Sequence, residues 1–203
     1  EDMDKQLIIS VSREFGSGGH EIADILAKRF DIPIYDSNLL EEIANAKNMD
    51  IEKMQKYDEK PKNIFLSRRV RGYSNSLSEV LAQIQFDYIR ELANKGESFV
   101  IVGRCAETVL KHHEALVSIF VLADKEDKIE RVSRHNEISR SEAEAMISMQ
   151  NKKRKMYHNR YCDDKWGDSR NYDMCINSAK LGVERTADVL ENYIKECVAL
   201  REV

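Results

Sequence analysis

Leu7-Ile8-Ile9-Ser10-Val11 is a short apolar run that leads, within a few residues, into Gly16-Ser17-Gly18-Gly19-His20-Glu21. A run of this length and character reads as a buried strand. Beyond the glycines, Ile22, Ile25, Leu26 and Phe30 recur at helical spacing, so the unit is strand, glycine loop, helix. Glycines in such a loop let backbone N–H groups turn inward toward an anion, and the helix N-terminus adds favourable potential. A tight turn without a ligand would also use glycine. Three of the chain's eight glycines fall within four residues here, a concentration that favours the phosphate cradle.

Working outward, Ile32-Pro33-Ile34-Tyr35-Asp36 is a second short strand, and Ser37 is placed to cap a helix carrying Leu39, Leu40 and Ile43. From Asp50 to about Gly72 the pattern is weak and polar, broken by Pro61, and reads as a helical excursion or a mobile segment outside the sheet core. Ser76 or Ser78 could open a long helix through Val80, Leu81, Ile84, Tyr88, Ile89 and Leu92, ending near Gly96. Phe99–Val102, Val117–Leu122 and Tyr172–Ile176 are three further strands. Helices are expected from Asp124 to Arg134, from Ser141 to about Tyr161, and from Leu181 to Leu200. Apolar strands separated by helices predict an α/β chain: a doubly wound, five-stranded parallel sheet covered on both faces. No linker divides residues 1–203, so one domain is expected.

Composition mostly excludes. The 203 residues include only eight Gly and two Pro, roughly half and a fifth of average usage, which argues against low-complexity and many-turned all-β folds. A net charge of −4 exerts no general pull on nucleic acid or anionic membranes. No apolar run reaches the ~18 residues of a spanning helix, and Glu1–Lys5 lacks a signal peptide's apolar stretch. The four cysteines form no CxxC pair, so reduced thiols in a cytoplasm are the economical expectation. The amphipathic closing helix leaves a homo-oligomer open.

The loop matches neither common nucleotide motif in full. A dinucleotide site asks for G-x-G-x-x-G, and Glu21 stands at the third glycine, although Asp36 sits where a ribose-binding acid would. A standard P-loop asks for G-x-x-x-x-G-K-[ST]. Aligned on Gly18, its first glycine is Arg13, its lysine is Gly19 and its hydroxyl residue is His20.

Four blocks nevertheless resemble the cytidylate kinase-like family, a divergent branch of P-loop nucleoside monophosphate kinases. They are Ile9-Ser10-Val11-Ser12-Arg13-Glu14-Phe15-Gly16-Ser17-Gly18-Gly19, Ile34-Tyr35-Asp36, Val100-Ile101-Val102-Gly103-Arg104-Cys105-Ala106, and Ile176-Asn177-Ser178 with Leu181-Gly182-Val183-Glu184. They stand in family order across nearly the whole chain. The resemblance implies a P-loop kinase core using ATP and Mg2+, with a helical acceptor-binding insertion at residues 37–96 and a basic lid at about 131–170. Its small-molecule substrate would be a nucleotide, by default a nucleoside monophosphate such as CMP. In the family register Gly19 replaces the loop lysine and Glu21 the magnesium-holding threonine.

The candidate site follows. Gly16, Ser17, Gly18, Gly19, His20 and Glu21 form the phosphate loop, with Ser17 or Glu21 as a Mg2+ ligand, though a carboxylate at Glu21 could simply favour the helix terminus. Asp36 and Arg104 resemble acceptor-binding residues. Phosphoryl transfer needs cations about the moving phosphate. Arg131 and Arg134 share a helix face, and Arg154 and Arg160 lie in Lys152–Arg160, which holds no acid. These four resemble lid arginines, while a solvated basic face is the plainer alternative. Arg13, at the loop's start, is the first candidate to replace the missing lysine. The alternatives carried forward are a nucleotide-binding sensor without efficient catalysis and an NAD-binding oxidoreductase suggested by Asp36. Cys105 and Trp166 read as packing residues rather than as a reactive thiol and a base-stacking ring.

Overall fold

The structure, a computed structural model, describes residues 5–47, 69–70, 73–74 and 77–201. Strand β1 (Ile8–Arg13) runs through the centre of a five-stranded sheet. The other strands are β2 (Ile34–Tyr35), β5 (Phe99–Val102), β6 (Leu116–Leu122) and β7 (Met174–Asn177), in spatial order β2-β5-β1-β6-β7. Every pairing is parallel. Each strand's apolar run is accounted for by burial on both faces. Ile9 and Val11 face helices α1 (Gly19–Phe30) and α7 (Gly182–Ala199), where Ile22, Leu26, Ala187, Leu190 and Ile194 complete one core. Ile8 faces the opposite way, toward α2 (Leu39–Lys47) and α3 (Leu77–Asn94), with Leu39, Ile43, Leu81, Ile89 and Phe99. The apolar face of α7 is therefore taken up by the core.

Several expected boundaries shift for local reasons. Ser37 does not cap α2: its hydroxyl donates to the Asp36 carboxylate at 3.4 Å, and the helix starts at Leu39. Ser78 lies inside the first turn of α3, while Ser76 falls outside the described residues. Most of the polar Asp50–Gly72 stretch, Pro61 included, also falls outside them. Its one described part, β3 (Arg69–Val70), is strand and pairs antiparallel with β4 (Tyr73–Ser74) just beyond the stretch. The last strand begins after Tyr172 because that residue closes a 3-10 turn at Ser169–Asn171 and packs on Phe120 at 5.0 Å.

The basic stretch forms α6 (Arg140–Tyr161), preceded by α5 (Lys125–Asn136). Ser139, not Ser141, caps α6 through a reciprocal box with Glu142. Helices α5 and α6 pack through Ile129, Val132, Ala143 and Ile147, with Phe15 of the glycine loop partly buried against them. Parallel strands bring all their C-terminal ends to one edge, the crevice where open α/β sheets bind ligands. That edge carries the glycine loop after β1, Asp36 after β2, Gly103 after β5, and Asn177-Ser178 at the end of β7. The Ser178 hydroxyl, directed at the Ser17 carbonyl at 2.5 Å and the Leu122 carbonyl at 3.3 Å, ties the loop to the sheet edge. Ser178→Ala strands the buried Ser17 carbonyl, while Leu122 keeps the Ser178 N–H, so urea unfolding should show a loss of about 1–3 kcal/mol. An unchanged midpoint would mean the tie contributes nothing.

Candidate functional site

The loop is held from beneath and from the side. Ser17 is fully buried; its hydroxyl donates to the Glu14 carbonyl at 2.8 Å and accepts the Gly19 N–H at 3.3 Å. Glu14 in turn accepts Lys128 Nζ at 2.6 Å and the Ala123 N–H at 3.4 Å. The Phe15 N–H donates to Asn151 on α6 at 2.7 Å. Gly18, left-handed at φ +76°, caps α1 without a side-chain hydrogen bond. Beyond Gly19, whose N–H goes to Ser17, the first N–H groups of α1 have no intrahelical acceptor, and the positive end of the helix dipole lies at the crevice.

Arg13 organises one side of this loop. A Cβ at Gly19 would lie 2.5 Å from Arg13 Cβ, and a Cβ at Gly103 would lie 2.8 Å from Arg13 Nη1. The arginine therefore fills the ground that a side chain at position 19 would need, and its guanidinium rests on a bare backbone turn. Arg13 Nε is buried with no hydrogen-bond partner. Burial, then the nearby charges of Arg154 and Arg104, push the Arg13 pKa down to about 9, with Asp36 opposing them. Arg154 is lowered to about 10 by burial; it donates to the Arg13 carbonyl at 3.0 Å and stacks 5.4 Å from the Phe15 ring centre. Like charges gathered in partial burial disfavour one another, and such a cluster gains most from a multiply charged anion. At its edge His20 Nε2 lies 3.3 Å from Asp36 and 3.6 Å from Asp24.

A second, open cavity of about 490 Å³ lies on the other side of the loop, lined in part by Gly16, Glu21, Arg131, Arg134, Ser178 and Gly182. Arg131 Nη1 meets Glu21 at 3.4 Å. Arg134 pairs with Glu130 at the cavity rim. Thus Arg13, His20, Asp36, Arg104 and Arg154 gather on one flank, and Glu21, Arg131 and Arg134 on the other. Arg160 joins neither; it pairs with Glu79 of α3 at 2.7 Å and so ties α6 to α3. Trp166 packs edge-on against Phe120 at 5.4 Å, as a packing residue would.

Behind the arginines is a polar network that the amino-acid pattern did not disclose. His158 Nε2 and Glu107 are 2.6 Å apart, with side chains only 5% and 1% exposed, and Ser12 donates to the same carboxylate at 3.3 Å. Glu107 lies in the short helix α4 (Ala106–Val109), just after Arg104. Burial alone would lower the His158 pKa, but hydrogen bonds to Cys162 and Glu107 outweigh it and raise it to about 10. Residues Ala143, Ile147, Asn151, Arg154, His158 and Cys162 recur three or four apart. That spacing puts them on one stripe of α6, and only its first two members are apolar. Lys128, Asn151, Glu107 and His158 were all missed for this reason: each is a polar residue on an inward face, where apolar periodicity is silent.

The cytidylate kinase-like family matches this chain over residues 8–180. The chain belongs to that family. A crystal structure of an uncharacterized protein from Eubacterium ventriosum is 38% identical, with a TM-score of 0.74, covering 94% of this chain and 99% of its own. Shikimate kinases share the fold at low identity. The enzyme from Acinetobacter baumannii, solved with shikimate, is 12% identical, with a TM-score of 0.54 and 96% of each chain covered. That from Aquifex aeolicus is 14% identical, with a TM-score of 0.51, covering 97% of this chain and all of its own. No curated protein matches the chain in sequence. The topology departs from a dinucleotide fold, in which the second strand adjoins the first. Here β5 stands between β1 and β2. Asp36 consequently sits beside His20 and within the field of Arg13, not at a ribose subsite formed by neighbouring strands.

Two outcomes follow from this geometry. Gly19→Lys restores the letter of the P-loop motif but collides with Arg13, so it should lower stability by about 1–3 kcal/mol in urea unfolding. Adding Arg13→Gly should recover most of that loss; no recovery would show that the collision lies elsewhere. For His158, the folded pKa is raised from 6.5 to about 10, so its stabilisation is present below pH 6.5 and lost as pH rises through 10. The stability gap between wild type and His158→Gln should therefore narrow from pH 6.5 to pH 10, and a gap that widened would refute the assignment.

Proposed function

We propose that the chain transfers the terminal phosphoryl group of ATP to a small acceptor, by default a nucleoside monophosphate such as CMP. The supporting observation is the mutual exclusion of Arg13 and any side chain at position 19: Arg13 Cβ leaves only 2.5 Å for a Cβ there. A kinase loop needs a cation beside the bound phosphates. Here the cation comes from the end of β1 instead of from the first turn of α1. Arg13 would bridge the two flanks of the loop, the amides from Gly16 to His20 would cradle the donor phosphates, and Arg131 and Arg134 would line the donor cavity. Arg104 and Arg154 would bind the acceptor's anionic group, and Asp36 would orient its hydroxyl or base. Arg160 would join the phosphates only on leaving Glu79. In this reading residues 1–203 form one kinase domain with an acceptor-binding insertion at 37–96 and a lid at about 131–170.

Magnesium is commonly held by one or two carboxylates plus the substrate's own phosphates. Among the described residues no cluster of three His, Cys, Asp or Glu side chains stands ready for a metal. That donor set suits an ion arriving with its nucleotide. Glu21, with its carboxylate at the cavity wall, would hold Mg2+ on releasing Arg131. Ser17 would contribute only by giving up its bond to the Glu14 carbonyl. The ion supplies charge neutralisation on the transferred phosphate; the chain's own residues position donor and acceptor and keep water out. A reducing cytoplasm suits the four free cysteines.

An ADP-release assay with Mg-ATP and CMP, dCMP, UMP or shikimate as acceptor tests the reading. Turnover is expected with at least one nucleoside monophosphate. Arg13→Ala should reduce kcat by about 10²–10³, the scale of losing one preorganised charge contact, while Arg13→Lys retains part of it. Tight ATP binding without turnover on any acceptor would overturn the kinase reading in favour of a nucleotide sensor.

A further inference from the structure

The buried network behind the arginines ends in two thiols that phosphoryl transfer does not use. Cys105 caps α4 in a left-handed conformation (φ +56°), directly after Arg104 (φ +59°). Non-glycine residues held there are strained, and persist where surrounding contacts demand them. Cys162 ends α6, its N–H donating to the His158 carbonyl at 2.9 Å. The two side chains lie in one small buried cluster with Ala82 and Phe86. Their thiols neighbour each other, and the side chains of His158 and Thr108 lie beside Cys162.

This arrangement has the parts of a redox pair. The thiolate is the reactive form of cysteine, and a neighbouring imidazolium stabilises it. Glu107 holds the His158 imidazole charged, and the hydrogen bond from Cys105, followed by that of His158, draws the Cys162 pKa down to about 5. Cys105 is pushed up by the same bond and by burial, so it keeps its proton. Both cysteines are buried, Cys162 at 9% exposed less deeply than Cys105 at 3%, so a small oxidant reaches Cys162 first. The remaining cysteines, Cys175 and Cys197, lie elsewhere, on β7 and α7.

We propose that Cys105 and Cys162 are a reversible thiol modification site, oxidised by hydroperoxides to a disulfide that fastens the end of α6 to the turn carrying Arg104. The Cys162 thiolate attacks one peroxide oxygen; an S–O bond forms, the O–O bond breaks, and hydroxide leaves. Cys105 sulfur then attacks the resulting sulfenic acid at Cys162. The S–S bond forms, the S–O bond breaks, and water departs with the Cys105 proton. Two electrons pass from the thiols to the peroxide, and a dithiol reductant reverses the change. The crosslink joins the helix that bears Arg154 to the turn that bears Arg104.

The test is independent of any kinase activity. In the full chain carrying Cys175→Ser and Cys197→Ser, hydrogen peroxide should remove about 2 Da, the two hydrogens of a disulfide, and dithiothreitol should restore them. Peptide mapping should recover Cys105 joined to Cys162. Adding Cys105→Ser should leave a sulfenic acid at Cys162 that dimedone captures, while Cys162→Ser should leave Cys105 unmodified. Both thiols remaining reduced under peroxide would overturn the proposal, as would capture at Cys105 in preference to Cys162, or disulfides only between molecules.

Discussion

Arg13 occupies the junction where β1 turns into the glycine loop, and its side chain needs two neighbours without Cβ atoms, Gly19 in front and Gly103 beneath. Everything around the crevice depends on that placement. The arginine's carbonyl receives Arg154, which draws α6 toward the sheet, and its guanidinium shares a field with Arg104 and Asp36. Phe15, two residues on, gives its N–H to Asn151 and its ring to Arg154. A basic helix that would otherwise repel the loop is thus held by one carbonyl, one amide and one aromatic face.

This placement concentrates cations in a partly buried position, and the fold answers with carboxylates set at different depths. Glu14 takes up Lys128 beside the loop, Asp36 approaches His20 at the crevice, and Glu107 meets His158 deep beneath α6. The last pair is almost wholly shielded from solvent. A buried charge pair of this kind is a poor source of net stability but severe to break, since removing one partner leaves the other uncompensated. Its evident effect is to set the depth and rotation of α6 against α4, and with them the separation of Arg154 from Arg104. Cys162, at the end of the same stripe, and Cys105, at the start of α4, carry the proposed covalent link between the same two elements.

Much of this could be read from the residues in order. Apolar runs at Leu7–Val11, Phe99–Val102 and Val117–Leu122 are long enough and plain enough to mark central strands, because burial on both faces leaves no alternating polar face. The glycine cluster located the loop, Arg13 drew notice as a cation at its start, and Arg104 through the family resemblance. Weaker signals misled at the edges. Ser37 looked like a cap but turns to the Asp36 carboxylate, and the helix expected from Ser141 starts at Arg140 because Ser139 captures its start through Glu142. Arg160 shared its stretch with Arg154, yet six residues of helix carry it to a different face and to Glu79.

By itself the sequence determined the α/β class, the strand–loop–helix that opens it and the absence of a lysine at position 19, since these rest on periodicity and on single residues. Tertiary structure alone decided why position 19 has no room for a side chain and what fills the space there. Arg13 and Gly19 are near in the chain, but Gly103 and Arg154 reach them only when β5 lies beside β1 and α6 folds over the loop. Close approach of backbone to side chain leaves no periodic trace in a sequence. The same holds for the stripe from Asn151 to Cys162, whose polar members are buried by contacts and not by hydrophobicity.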